Sequence, residues 1–324
     1  MEMKVSKKPF LISSLILLLL SACTEQKGQN SFTEVRTQLK EINAVLLANA
    51  QQDASKLLPF SEAYLKQRHT ALNEADVKLF TEFQIQELNY LIIQERYPER
   101  YLPWPASINV ANNLNEEQKQ AWQELVLTRL DDAKRSKILY NRYELEKLKT
   151  YSAQKSLSDL TEYLKTYKPR SRLGLYQLPN GKEWYQSKVN HYIGSVENPQ
   201  VILAKIQDLT SDFDYQDNGF KSLDLVEIAK KYCSIVDGMN WQHEFVNLHA
   251  TFDQCEKQDL LSYKYLMLVL AEIDLGIHYQ AWSEQQAMVV LNQKISLEPE
   301  QAKELLEYIV MKPAAVLSLA RVYF

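Results

Sequence analysis

The segment whose residue types best suit metal chemistry is His243-Glu244-Phe245-Val246-Asn247-Leu248-His249. Imidazoles are preferred zinc ligands, and a glutamate beside them commonly accepts the proton of a metal-bound water. His243 and His249 are therefore candidate metal ligands and Glu244 the candidate general base, with a distant carboxylate such as Glu272 to complete the set. The spacing works against them. Residues six apart on a straight helix sit about 240° around its axis, so the two imidazoles diverge. The ordinary H-E-x-x-H spacing fails as well, because Asn247 stands where the second histidine belongs.

His278 is the next candidate. Asp274 lies one helical turn before it, placed to accept a hydrogen bond from the imidazole, and Gly276 lets the helix end so that the ring can turn inward. Fold maintenance is the expected role. His69 and His191 have no obvious partners and read as surface or core residues. Cys233 and Cys255 have no catalytic context; a disulfide and two buried free thiols are equally open. The chain has no G-x-S-x-G elbow and no G-x-G-x-x-G or Walker pattern.

Cys23 carries a different chemistry. Lys4, Lys7 and Lys8 form a positive n-region, and the apolar run from Phe10 to Leu20 is too short to span a bilayer, which takes about 20 residues. Leu20-Ser21-Ala22-Cys23 then matches a bacterial lipobox, in which small residues admit the signal peptidase and the thiol takes a diacylglycerol. Two or three acyl chains anchor stably where one does not. Thr24 follows, where aspartate would retain a lipoprotein on the inner membrane, so the expected location is the periplasmic face of the outer membrane. Residues 1–22 are thus the expected signal peptide, 23–31 the lipidated cysteine with a polar tether, and 32–324 the exported domain.

The elements that must position these groups read as helices. Seven glycines in 324 residues argue against all-β folds and phosphate loops, and a net charge of −4 without a long basic run argues against nucleic acid. Helical spacing runs through 32–58 and again through 61–97, the latter as two helices meeting near Asn73, with Asn73-x-x-Asp76 as a cap. Pro98 to Pro105 is a loop. Asn115 opens a helix toward Tyr140, and another runs to Tyr167. A break at Pro169–Gly174 is followed by a turn at Leu178-Pro179-Asn180-Gly181, and helix resumes near Lys182. The acidic stretch Asp212–Gly219 lacks the ligand order of an EF-hand and reads as a solvated loop. An apolar helix from Leu260 stops at Gly276, Ser283 and Gln286 form a capping box with Trp282 as staple, and Glu298-Pro299 starts a last helix that runs to about Lys312. The expectation is one large all-α domain, with at most a minor hairpin near 174–185.

Three blocks carry a resemblance. Asp274-Leu275-Gly276-Ile277-His278, with Trp282-Ser283 and Ala287 behind it, resembles the D-T-G-I-H…G-W-S…Q-A signature of the bacterial family called domain of unknown function 885. Tyr308-Ile309…Pro313-Ala314-Ala315-Val316-Leu317-Ser318 is similar to its Y-I…P-G-Q-A-L-S. Gly174…Leu178-Pro179-Asn180-Gly181…Trp184-Tyr185…His191 resembles its G…L-P-G…Y-Y…H-T-T-T. The likeness is clearest over 172–205 and 263–324, that of a divergent and shortened member. It implies a helical, exported lipoprotein related to zinc-dependent peptidases, in which the histidine at position 278 lies near the catalytic pocket. The family's metal motif reads H-E-x-x-P-G-H-H, with a later E-G-W-A. Here Asn247 and Leu248 replace the Pro-Gly that bends the backbone, and no E-G-W-A follows. Three readings result, the third a purely structural or assembly lipoprotein of the envelope. In the first the zinc site is lost, no cofactor is expected, and the protein acts by binding peptides or envelope proteins while held on the bilayer through Cys23. In the second it is a zinc peptidase using His243, Glu244 and His249.

Overall fold

The computed structural model describes residues 30–43, 58, 61–97, 99, 114–211, 233–235, 250–255, 261–295 and 297–324. Within them the chain forms α1 (Phe32–Ile42), α2 (Glu62–Asn73), α3 (Glu82–Arg96), α4 (Glu116–Arg135), α5 (Arg142–Gln154), α6 (Ser158–Lys165), α7 (Gly181–Ile193) and α8 (Pro199–Ser211). A small ribbon of β1 (Cys233–Ile235) and β2 (Ala250–Cys255) precedes α9 (Leu261–His278), α10 (Glu284–Lys294), α11 (Pro299–Met311) and α12 (Leu317–Ala320). The fold is all-α, with the antiparallel β1–β2 pair as its one sheet among the described residues.

Most helices start where a local side chain can satisfy the free N–H groups of the first turn. Ser31 with Glu34, Thr81 with Gln84, Asn115 with Gln118, Asn141 with Glu144 and Ser283 with Gln286 each form reciprocal capping boxes. α6 is different. Its N-cap residue, Leu157, offers no side-chain acceptor. Gln123 of α4 supplies one instead, its Oε1 accepting from the N–H groups of Asp159 (3.0 Å) and Leu160 (3.2 Å).

At the centre is α9. Every residue from Tyr265 to His278 is buried, as expected of a helix that carries apolar residues on every face. It packs against α8, α10, α11 and α12, and the 3-10 turn Leu175–Gln177 also touches it. α3 joins this body through α7, where Tyr90 stacks on His191 with ring centroids 4.4 Å apart and accepts a hydrogen bond from Lys188 Nζ at 3.0 Å. The N-terminal helices close on themselves through a short parallel bridge between Asn30 and Ala75.

Several sequence expectations need correction. The helix opened at Asn115 ends at Arg135 rather than Tyr140, the stretch before Tyr167 holds two helices, α5 and α6, and Asn73 closes α2 while Thr81 caps α3. Residues 174–185 hold a 3-10 turn and the start of α7 rather than a hairpin, because Asn180 takes a left-handed conformation (φ 51°) that turns the chain straight into a helix. The strand pairing occurs instead between 233–235 and 250–255. The helix expected to stop at Gly276 continues to His278. Gly276 is there to admit Trp282: a Cβ at that position would meet the indole ring at 2.3 Å.

Candidate functional site

The three sequence blocks, far apart along the chain, meet in one buried node. The break at Pro169–Gly174 is pinned first. Arg170 is tied through Nη1 to the Leu139 carbonyl (2.6 Å) and Glu144 (2.8 Å), and through Nη2 to the Leu173 carbonyl (2.7 Å). Asn141 Nδ2 also donates to the Leu173 carbonyl, at 3.2 Å. This draws Gly174 so close to the C-terminal end of α9 that a Cβ on it would lie 1.9 Å from the Ile277 carbonyl oxygen.

Beyond Gly174, the Leu175 N–H donates to His278 Nδ1 at 3.2 Å. The other ring nitrogen, Nε2, lies 3.1 Å from the Ile309 carbonyl of α11. A carbonyl only accepts, so Nε2 carries the proton and Nδ1 is the acceptor: a neutral tautomer fixed from both sides by backbone. Burial pushes His278 down to about 3, with the charges of Arg170 and Lys188 adding to it against the Ile309 bond. Tyr185 of α7 lies nearly parallel to this ring, centroids 5.6 Å apart.

Asp274 does not bond His278, as its position one turn away suggested. It accepts from the Tyr185 hydroxyl and from the Ala314 N–H, which reaches Oδ1 at 3.1 Å and Oδ2 at 2.9 Å. Burial raises Asp274 to about 7, against the opposing pull of the Tyr185 and Ala314 hydrogen bonds and the charge of Lys188. Ala314 presents its N–H from a left-handed conformation, φ 68°. An L-residue pays roughly 1–2 kcal/mol there. Ala314→Gly, the residue the resembled motif carries at this point, is expected to stabilise the protein by about 0.5–1 kcal/mol in urea unfolding, once the extra chain entropy of glycine is set against the relief. A loss of stability would show that the Cβ of Ala314 packs better than its backbone angle suggests.

The node is closed: His278 and Asp274 are both fully buried, and both histidine nitrogens are occupied by main chain. Its chemistry is that of a clamp joining α7, α9, α11 and the Gly174 turn. Outside it, an open cleft of about 630 Å³ is lined by Arg142, Ser171, Arg172, Leu173, Ser283, Glu284, Gln285 and Met288. Arg142 ion-pairs with Glu284 across it, and the Tyr143 hydroxyl donates to the same carboxylate at 2.9 Å.

The other candidates are scattered. Glu272 is buried and bonded to Lys294 Nζ at 2.5 Å, with Gln207 at 3.4 Å on its other oxygen. His69 is an exposed residue paired to Glu95 at 3.1 Å. Cys233 and Cys255 are register partners in the β ribbon. Cys23, His243, Glu244, His249 and the acidic stretch 212–219 lie outside the described residues. Among the described residues, no three His, Cys, Asp or Glu side chains are grouped to hold a metal ion, and no helix is long and apolar enough to cross a membrane. Sequence reasoning missed Arg170, whose partners Leu139, Glu144 and Leu173 lie on either side of it along the chain, and the cap that Gln123 lends to α6 from another helix; neither leaves a local signal. No protein-family model, curated protein or solved structure matches the chain.

Proposed function

We propose that this protein is a lipid-anchored envelope lipoprotein, similar to the domain of unknown function 885 family, that has given up zinc peptidase chemistry and acts by binding peptides or envelope proteins. The observation that carries this reading is the node itself. Gly174, Tyr185, Asp274, His278 and Ala314 come from all three resembling blocks and interlock through hydrogen bonds and a ring stack. That assembly supports the family likeness, and it commits the histidine to holding main chain rather than moving protons. The divergent spacing of His243 and His249 supports loss of the metal site. The Arg142–Glu284 cleft beside the node offers an extended ligand walls that mix charged groups with the apolar side chains of Leu173 and Met288.

The test uses the full-length protein purified from bacterial membranes. Labelled palmitate should be incorporated and should be absent from a Cys23→Ser variant. Metal analysis should find zinc well below one equivalent, unchanged by His243→Ala, and no peptide hydrolysis. Stoichiometric zinc that is lost in His243→Ala, together with cleavage of peptides, would establish the peptidase reading in its place.

A further inference from the structure

We propose that Cys233 and Cys255 are joined by a disulfide that ties β1 to β2 beside the C-terminal helices. The proposal stands on backbone register. β1 and β2 pair antiparallel with Cys233 directly opposite Cys255. Directly opposed residues in such a pair have Cα atoms about 4.5 or 5.5 Å apart, depending on the kind of site. Both separations fall inside the window of roughly 4.4–6.8 Å that a disulfide requires. The Cα spacing of a directly opposed pair therefore permits the bond.

The ribbon also needs a fastening. β1 has 3 residues and β2 has 6, and an isolated two-stranded pair is at best marginally stable. Its register is irregular, because Ile235 pairs with Ala250 rather than continuing evenly from the Cys233–Cys255 pair. A covalent link at Cys233–Cys255 fixes one register where hydrogen bonding alone leaves slippage open. β2 lies against α12 and the terminal 3-10 turn Arg321–Tyr323, so the link would also hold the chain entering α9 onto the end of the body.

The chemistry balances as thiol–disulfide exchange. One cysteine thiolate attacks a disulfide-bearing oxidant and expels one of its sulfurs as a thiolate. The second cysteine then attacks the mixed disulfide and releases the oxidant's other sulfur. The protein loses two protons and two electrons, and the oxidant leaves as a dithiol. In the cell this step rests on the export reading above, since the envelope supplies such oxidants and the cytosol does not.

Full-length protein taken from membranes is alkylated in denaturant, digested and mapped by mass spectrometry, with and without prior reduction. A second sample is reduced, refolded and equilibrated with oxidised and reduced glutathione. A linked Cys233–Cys255 peptide pair is expected in both, lighter by two hydrogens than the separate thiol peptides and replaced by two alkylated peptides on reduction. A link that forms in glutathione but is missing from the cell-derived protein would uphold the pairing and overturn the export reading. Two alkylated thiols in both samples, or a link from either cysteine to Cys23, would overturn the pairing. A Cys233→Ser variant should leave Cys255 able to form only a mixed disulfide with glutathione.

Discussion

Asp274→Asn is expected to change how stability responds to pH, by up to about 4 kcal/mol between pH 4 and pH 7.5 relative to the natural protein. In the folded chain burial raises Asp274 from 3.8 to about 7. Between those values the folded state holds a proton that the unfolded state has released, so stability falls as pH rises, by about 1.4 kcal/mol per unit. His278 runs the other way. Its folded value is about 3 against 6.5 unfolded, so below 6.5 the unfolded chain takes up a proton that the folded chain refuses, and stability falls as pH drops.

From about pH 4 to 6.5 the two slopes oppose each other and nearly cancel. Removing the titrating carboxyl while keeping an amide oxygen for the Ala314 N–H uncovers the histidine slope. Urea unfolding across that range should therefore show the Asn variant gaining on the natural protein as pH rises. The charges facing the pair from other elements, Lys188 of α7 and Arg170 beside Glu144, are present in both proteins and drop out of the difference. Parallel pH profiles for the two proteins would sink the idea that Asp274 is protonated in the fold at mildly acidic pH.

Gly174→Ala should lower stability by about 3 kcal/mol, a fall in Tm of roughly 5–10 °C. The new Cβ would sit 1.9 Å from the Ile277 carbonyl oxygen, 2.7 Å from its carbonyl carbon and 3.2 Å from His278 Cα. All three are main-chain atoms of a buried helix, so the turn must retreat, and its retreat removes the Leu175 donor from His278 Nδ1. A buried acceptor left without its donor adds about 1–3 kcal/mol to the steric cost. Gly276→Ala is the instructive comparison. There the Cβ meets the ring of Trp282, a partly exposed side chain that can swing aside, so the loss should be smaller. Thermal melts of both variants decide it: equal losses would mean that the Gly174 contact is no tighter than an ordinary side-chain clash.

Much of the helical scaffold is legible in the sequence. The Ser283–Gln286 and Asn115–Gln118 boxes join residues three apart, Pro299 sits in the first turn of α11, and the apolar run Tyr265–Ala271 in α9 marks a helix buried on all sides. These signals are local. Each stop and start is set by groups within one turn of one another, so the sequence displays both partners together.

The node was legible only as a set of residues, not as an arrangement. That Asp274 and His278 lie one turn apart suggested that they bond each other, yet each is held by partners brought from elsewhere. His278 meets Leu175, 103 positions away, and Asp274 meets Tyr185, 89 positions away. The cap that Gln123 gives to α6 spans 36 positions, and the Arg170 bond to Glu144 spans 26.

Periodicity, capping and glycine content therefore determined the all-α class and about half of the helix starts, because hydrogen bonds within a helix link near neighbours along the chain. The tertiary structure alone decided that the candidate histidine is a fixed, neutral clamp. Whether a buried polar group is free to react depends on which distant backbone atoms packing brings against it, and that choice is made when the helices dock.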